Sequence, residues 1–244
     1  MKNFKFPRRF WGTTWRKFRQ AAGGFIAPGD RVLALVSGGP DSTALAHWLA
    51  LLSRQISFQW GIVHFDHGLR DDSHQQAQAV RRLAGSLGTF FYLRKLPVAG
   101  LVKKRKTSIE HAARLLRYRE AARLARRLNI NKVATAHTLE EQAESILINI
   151  LRGGSAAGLL GARAARPIFY GSKIKLIRPM VHIRKKEVLE FLDAGGIPYF
   201  RDPMNSDPRF LRARVRAELL PKLTELHPKA LQHITGLAEK FGVK

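Results

Sequence analysis

The sequence contains no cysteine. Disulfides, thiolate-bound metals, iron–sulfur clusters and sulfur transfer through a cysteine are therefore excluded, and cysteine usage gives no indication of the redox compartment. No apolar run approaches membrane-spanning length, so a soluble protein without a membrane partner is expected. The Gly-Lys-Ser/Thr of the common nucleotide loops and the G-x-G-x-x-G of dinucleotide sites are also missing, which argues against ordinary kinase or GTPase chemistry. Acids are scarce: 18 Asp and Glu stand against 43 Lys and Arg in 244 residues, a formal charge of +25, with a pI near 11.3. Solubility needs far less. A polyanionic partner explains the surplus, and nucleic acid outranks a lipid surface because the charge is spread through the chain with no single lipid-facing amphipathic helix.

The chain carries 45% hydrophobic residues, enough for one large domain or a domain with a small appendage. Its organising stretch is Val32–Leu45, VLALVSGGPDSTAL. Val32 to Val36 reads as a short buried strand, and Ala44, Leu45, Trp48, Leu49 and Leu52 follow at helical spacing. Between them, Gly38 and Gly39 permit a tight turn with consecutive exposed N–H groups. The hydroxyls of Ser37, Ser42 and Thr43 stand at a helix N-terminus, where orphan N–H groups and the macrodipole favour an anion. Strand, glycine turn and helix together make a phosphate cradle; a Gly-Ser turn alone would not.

Before this stretch, Lys2, Lys5, Arg8, Arg9, Arg16, Lys17 and Arg19 precede the first acid, Asp30, and Phe4, Phe6, Phe10, Trp11, Trp15 and Phe18 are interleaved with them. Trp11, Trp15 and Phe18 share a helical face. The segment fits a base-stacking arm, an Arg-rich targeting peptide, or a helix that packs its aromatic stripe on the domain. Beyond the loop, Phe58–His64 reads as a second strand running into Phe65-Asp66-His67, a helix continues to Leu87, and Phe90–Leu93 reads as a third strand. A His-x-x-His pair without a third ligand reads as structural rather than metal-binding. A polar connection with Lys103-Lys104-Arg105-Lys106 is either a mobile solvated loop or a grip on a phosphate backbone.

Thr107 or Ser108 then caps a helix to about Leu128, on which Glu110, Arg114 and Arg117 share a face as an ion-pair ladder or as the lining of a nucleotide site. Lys132–Ala136 is a fourth strand ending at His137. Thr138 caps a helix that carries Glu140, Glu141 and Glu144, acids that complement a helix dipole or supply hard oxygens to magnesium, and Arg152-Gly153-Gly154 ends it. Residues 155–172 read as a Gly- and Ala-rich loop over the site, Lys173–Ile177 as a short strand, and Arg184–Ala194, Pro208–Leu220 and Pro228–Phe241 as helices. Four strand–helix units predict an α/β fold with a doubly wound parallel sheet and a small C-terminal helical extension.

The loop Ser37-Gly38-Gly39-Pro40-Asp41-Ser42 resembles the SGGxDS signature of the PP-loop ATP pyrophosphatases. The chain as a whole resembles the tRNA(Ile)-lysidine synthetase family. The matching blocks are SGGPDS at 37–42, HFDHGLR at 64–70, EHAARLLRY at 110–118, ATAHTLEEQAES at 134–145, LRGGSAAGL at 151–159, IRPM at 177–180 and DPMNSDPRFLRARVRAELLPKL at 202–223. They stand in the family's order.

The resemblance implies that ATP and magnesium bind at the edge of the sheet. The 2-carbonyl oxygen of the first anticodon cytidine of a tRNA(Ile) with a CAU anticodon then attacks the α-phosphorus, and the amine of L-lysine displaces AMP to give lysidine. Ser37, Gly38, Gly39, Asp41 and Ser42 are implied to hold the pyrophosphate and its magnesium, with Asp41 and Glu141 as metal ligands, and His64, Phe65 and Asp66 to meet the adenosine. Asp41, Arg114, Arg117, His137, Glu140 and Glu141 are the implied catalytic set. Glu110, Glu144, Arg152, Gly153, Asp202, Asn205, Arg212 and Arg214 are implied to bind lysine or tRNA, the basic helix with Arg209, Arg212, Arg214 and Arg216 taking tRNA phosphates.

A cytoplasmic enzyme is expected, with residues 1–29 as a basic aromatic arm, 30–180 as the ATP pyrophosphatase domain and 181–244 as a tRNA-contacting extension; whether it forms a homodimer is left open. The alternatives are another PP-loop tRNA-modifying enzyme and a catalytically impaired RNA-binding homologue. The chain departs from the family at Thr138, Glu140 and Glu141, where a second histidine and two aspartates are usual, and at Ala213, where an asparagine is. Many relatives also add C-terminal domains for the acceptor end, whereas this sequence stops at 244; if those domains are missing, the surplus positive charge is expected to compensate.

Overall fold

The computed structural model describes residues 12–68, 73–154, 163–200 and 211–241. Helix α1 (Thr13–Gly23) leads into β1 (Arg31–Leu35), α2 (Pro40–Leu52), β2 (Gln59–Asp66), α3 (Ser73–Leu87) and β3 (Phe90–Lys95). There follow α4 (Val98–Arg105), α5 (Ile109–Arg127), β4 (Lys132–Ala134), α6 (Leu139–Leu151), β5 (Ala165–Pro167), β6 (Lys175–Ile177) and α7 (Lys185–Ala194). Helix α8 covers 211–226 and is interrupted by a π-turn at Val215–Leu219; α9 is Ala230–Phe241.

The strands form one sheet in the order β3-β2-β1-β4-β6-β5, parallel except for β5, which pairs antiparallel with β6. Side chains alternate across a strand, and β1 uses both directions. Val32 and Ala34 enter a core with α1, α2, α3 and α7, while Leu33 and Leu35 enter a second core with α4 and α5. Burial on both faces explains why β1 reads as an unbroken apolar run. A third apolar cluster, with Leu139, Ala143, Val215, Leu220 and Leu231, joins α6 to α8 and α9.

Helix α1 packs its aromatic stripe on the domain. Trp15 and Phe18 are buried while Arg16 and Arg19 face solvent. Phe18 lies 5.3 Å from Trp48 of α2, and Trp48 lies 4.9 Å from Phe191 of α7. Glu187 reinforces this link by accepting from Lys17 Nζ (2.8 Å) and Thr14 Oγ1 (3.1 Å). Trp11 and the aromatics before it lie outside the described residues.

Several elements differ from the expected pattern. The basic run at 103–106 ends a helix instead of forming a loop. Val98, Leu101 and Val102 of α4 dock on the second core, the cations complement the helix C-terminus, and Lys106 stops it with φ 47°. Part of the stretch read as loop, Ala165–Pro167, is an edge strand, a position where proline's missing N–H costs no ladder bond. Strand β4 ends at Ala134, two residues earlier than expected, so His137 lies in the connection to α6.

Candidate active site

The glycine–serine loop follows β1, a central strand, and the connection Thr135–Thr138 follows its neighbour β4. The two therefore flank the point where the strand order reverses, the usual ligand crevice of such sheets. Gly38 has φ +90°, and a Cβ there would lie 3.2 Å from Val80 and 3.4 Å from Phe200, so both conformation and space require glycine. Its carbonyl accepts from the Phe200 N–H at 2.9 Å. Ser42 Oγ accepts from the N–H groups of Ser37 (3.1 Å) and Gly38 (3.2 Å) and donates to the Gly39 carbonyl (3.0 Å). A hydroxyl thus occupies the amides that would bind an anion. Gly39 is the N-cap of α2, Pro40 takes its first turn and Asp41 follows.

Asp41 Oδ2 is ion-paired with Lys185 Nζ at the start of α7, and Asp41 Oδ1 is buried with no hydrogen-bond partner among the described residues. Glu140 Oε2 accepts the backbone N–H of that same Lys185 at 2.8 Å. Burial and the nearby Asp41 push the Glu141 carboxyl up to about 7, although the Thr138 N–H donates to it at 3.2 Å. Burial raises Glu140 as well, with Asp41 adding to the shift. Three carboxylates from two distant segments therefore share one poorly hydrated space.

Opposite them stands a wall of arginines. His137 is held neutral, its pKa well below the usual value, by burial and by Arg178, Arg114, Arg117 and Arg212 around it; its Nδ1 lies 2.9 Å from Thr135 Oγ1. Arg114 and Arg166 both lie over the Tyr118 ring, 5.6 and 5.8 Å from its centroid. Arg178 is only 1% exposed, and its NH1 donates to the Arg163 carbonyl. Glu144, also 1% exposed, is clasped by Arg212 Nε (2.5 Å) and Arg216 NH2 (2.9 Å), and Arg212 reaches Glu110 as well.

A turn from a central strand into a capped helix, with serine hydroxyls on its amides and an acid in its first turn, agrees with a comparison of known families, in which residues 13–223 match the PP-loop domain. The chain belongs to that family. Among PP-loop relatives, it is 33% identical over 88% of its length to the tRNA(Ile)-lysidine synthase of Thermosipho africanus, covering 48% of that protein. It is 38% identical over 83% of its length to the tRNA(Ile)-lysidine synthase of Symbiobacterium thermophilum, covering 41% of it. The chain thus spans about half the length of these relatives or less. In fold it is similar to the U34-tRNA thiolase NcsA of Methanococcus maripaludis, a structure with a [4Fe-4S] cluster, at a TM-score of 0.81 and 19% identity over 97% of this chain and 81% of that one. The present chain has no cysteine with which to bind such a cluster.

Around the PP-loop the structure gathers Asp41, Glu140, Glu141, Arg114, Arg117, His137, Glu110, Glu144 and Arg212 into one electrostatic neighbourhood. His64 is buried on β2 with Nδ1 donating to the Val36 carbonyl at 2.9 Å, Phe65 belongs to the second core, and Asp66 accepts from the Gly68 N–H at 2.9 Å. At these three positions, backbone and the Asp66 edge are what remain for a ligand. Other expected residues are not brought in. Arg152 and Gly153 lie beyond the far end of α6, about 18 Å from Glu140 by helical rise. Arg214 points away and pairs with Glu218 at 3.5 Å. Asp202, Asn205 and Arg209 lie outside the described residues.

Sequence reasoning missed Lys185 and Arg178 and left Arg216 among general phosphate contacts. An arginine inside the apolar run Leu176-Ile177-Arg178-Pro179-Met180 is a signal of a buried cation; Lys185, one of several lysines and arginines at 184–186, carries none. Asp41 and Glu141 suit magnesium as hard oxygen donors, with phosphate and water left to complete the shell, since among the described residues no group of three or more acids or histidines is placed to hold a metal. Asp41 Oδ1 lacks a partner among the described residues, and Glu141 is raised by burial and by the nearby Asp41, a crowding of carboxylates that a hard divalent cation relieves.

Proposed function

We propose that the protein ligates L-lysine to the 2-position of the first anticodon cytidine of a tRNA(Ile) with a CAU anticodon, through an adenylated tRNA, forming lysidine. Family membership implies ATP as the nucleotide, and the names of the relatives supply the product. The observation that carries the reading is the shared space of Asp41, Glu140 and Glu141 facing the arginines around His137. Such an arrangement separates the negative triphosphate, its cation and a second polar substrate within one crevice.

In this reading the amides of Ser37, Gly38 and Gly39, with the Ser42 hydroxyl, hold the departing pyrophosphate. Magnesium on Asp41 and Glu141 would neutralise triphosphate charge and polarise the α-phosphoryl group. Arg114, Arg117 and Arg178 stabilise charge that develops on the transferred phosphoryl oxygens, in a site where burial strengthens each interaction. His137, neutral among these cations, is able to hydrogen-bond without adding charge. Glu144 is a carboxylate for the lysine ammonium once Arg212 and Arg216 turn to tRNA phosphates, and the cytosine is turned out of the anticodon stack to reach the α-phosphorus.

The +25 charge supports tRNA as the partner, and tRNA affinity is expected to fall steeply with salt. The test is mass spectrometry of tRNA nucleosides after incubation of protein, ATP, magnesium and lysine, alongside pyrophosphate release with and without each substrate. Lysidine that depends on lysine supports the synthetase. A different modified base points to another tRNA-modifying activity, and no turnover under any condition leaves an RNA-binding protein.

A further inference from the structure

The loop has no lysine of its own, yet a lysine lies on it. Lys185, 144 residues away in sequence, places its ammonium on Asp41 Oδ2, and among the described residues it is the one cation ion-paired with the loop. Its backbone is fixed from several directions. Glu140 accepts the Lys185 N–H (2.8 Å), Glu187 accepts the adjacent Arg184 N–H (2.9 Å), and Glu187 in turn is tied to Lys17 of α1. The side chain is by contrast accessible, 38% exposed against 21% for Asp41. A pair this open contributes little to folding; the contacts to its backbone cap the N-terminus of α7 and thereby fix the point from which the ammonium reaches the loop.

We infer that Lys185 supplies from α7 the phosphate-binding cation that the loop sequence lacks, gripping the phosphates that leave as pyrophosphate and resting on Asp41 while the nucleotide is absent. The inference rests on the ATP-cleaving reading above. In that step the bond between the α-phosphorus and the α–β bridging oxygen breaks. The oxygen leaves with the electron pair on pyrophosphate, and the cytidine carbonyl oxygen forms the new bond to phosphorus. Negative charge grows on the departing group, beside the loop. A compact ammonium on a flexible four-carbon stem swings from a carboxylate to phosphate oxygens without moving the backbone that carries it. The arginines around His137 serve the transferred half; Lys185 serves the half that departs.

The test is calorimetric titration of the full chain with pyrophosphate, ATP and AMP, comparing wild type with Lys185→Met, Lys185→Arg and Lys186→Met, with a thermal melt of each. Lys186 is the exposed neighbour, paired only loosely with Glu190 at 3.9 Å. Lys185→Met is expected to weaken pyrophosphate about 10- to 100-fold, the usual worth of a hydrogen bond to a charged group, and to leave AMP within about 2-fold. Lys185→Arg should regain part of the loss, and Lys186→Met should match wild type. Unchanged pyrophosphate affinity in Lys185→Met overturns the inference, as does an equal loss for AMP or a lowered melting temperature that accounts for the binding defect. Failure of the wild type to bind either ATP or pyrophosphate removes the ATP-cleaving reading itself, and the inference with it.

Discussion

The loop at 37–42 and the arginine wall are built in opposite ways. Within the loop the amides of Ser37, Gly38 and Gly39 are answered by hydroxyls no more than five positions away, as with Ser42 Oγ on those of Ser37 and Gly38. Among the described residues, only its Gly38 carbonyl and Asp41 carboxylate reach distant partners, Phe200 and Lys185. The wall is assembled from α5, the β4–α6 connection, Arg178 and α8, and its pairs span as many as 102 residues, as between Arg212 and Glu110. The amide cradle of the loop is formed by local geometry between a strand and a helix, with Val80 and Phe200 packed against it at Gly38. The wall exists only once the whole sheet has closed and α8 has packed on α6. Nucleotide binding is therefore expected to be the robust part of the site, and substrate alignment the fragile part.

The strongest way to break that division is Asp41→Asn. Pyrophosphate release should drop about 1000-fold, as for loss of a group stabilising developing charge, with tRNA affinity in filter binding changed less than about 2-fold. Equal loss of both would mean that loop and wall are one unit. Arg178→Met comes next: turnover is expected to fall about 100-fold, while stability in urea shifts by less than about 1 kcal/mol, because a buried guanidinium among Arg166 and Arg114 is replaced by an apolar chain of similar length. A loss of several kcal/mol would make Arg178 a strut of the fold.

Glu141 sharpens the comparison through pH. Its carboxyl titrates at about 7 when folded against 4.5 ordinarily. The proton-bound form stabilises the fold fully below pH 4.5, and that contribution is lost as pH rises through about 7. In metal-free buffer, wild type should lose on the order of 2–3 kcal/mol relative to Glu141→Gln between pH 4.5 and 8, measured by urea unfolding at each pH. His47 and His67, with pKa values lowered to about 4 chiefly by burial, act in the opposite sense but are common to both proteins. A pH-independent difference would refute the burial of Glu141 beside Asp41. The smallest effects separate the faces of α8: Arg212→Ala should cost about 2 kcal/mol by exposing Glu144 to incomplete pairing, and Arg214→Ala under about 0.5 kcal/mol, since its partner Glu218 is in solvent.

What the sequence revealed follows the same line between near and far. Strand β1, the loop and the start of α2 were legible because alternation, paired glycines and a helix start are all local signals. The acids of α6 were legible as candidates, since Thr138 opens a helix with Glu140 and Glu141 in its first turn. Their meeting with Asp41 was not, because it depends on β1 and β4 being neighbours. Glu141 also has a structural task invisible as such: at the third helical position it accepts the Thr138 N–H, a role for which glutamate is the suited length. Arg212 and Arg214 looked alike in a basic helix, and only the packing of α8 on α6 shows which of these two positions, on different sides of the helix, meets Glu144. Edge strand β5 is three residues long and contains a proline, too short for any period to show.

In the proposed reaction the Ser42 hydroxyl would bear on how each cycle closes. An oxygen of the protein's own stands on the Ser37 and Gly38 amides, so under the proposed reading a phosphate oxygen entering there would exchange with it instead of being drawn to bare donors, and the same oxygen would return when the product departs. Neither direction would pass through naked N–H groups. The loop would thereby be spared both collapse when empty and a deep trap when full, which in the proposed reaction would favour turnover over mere retention of the diphosphate.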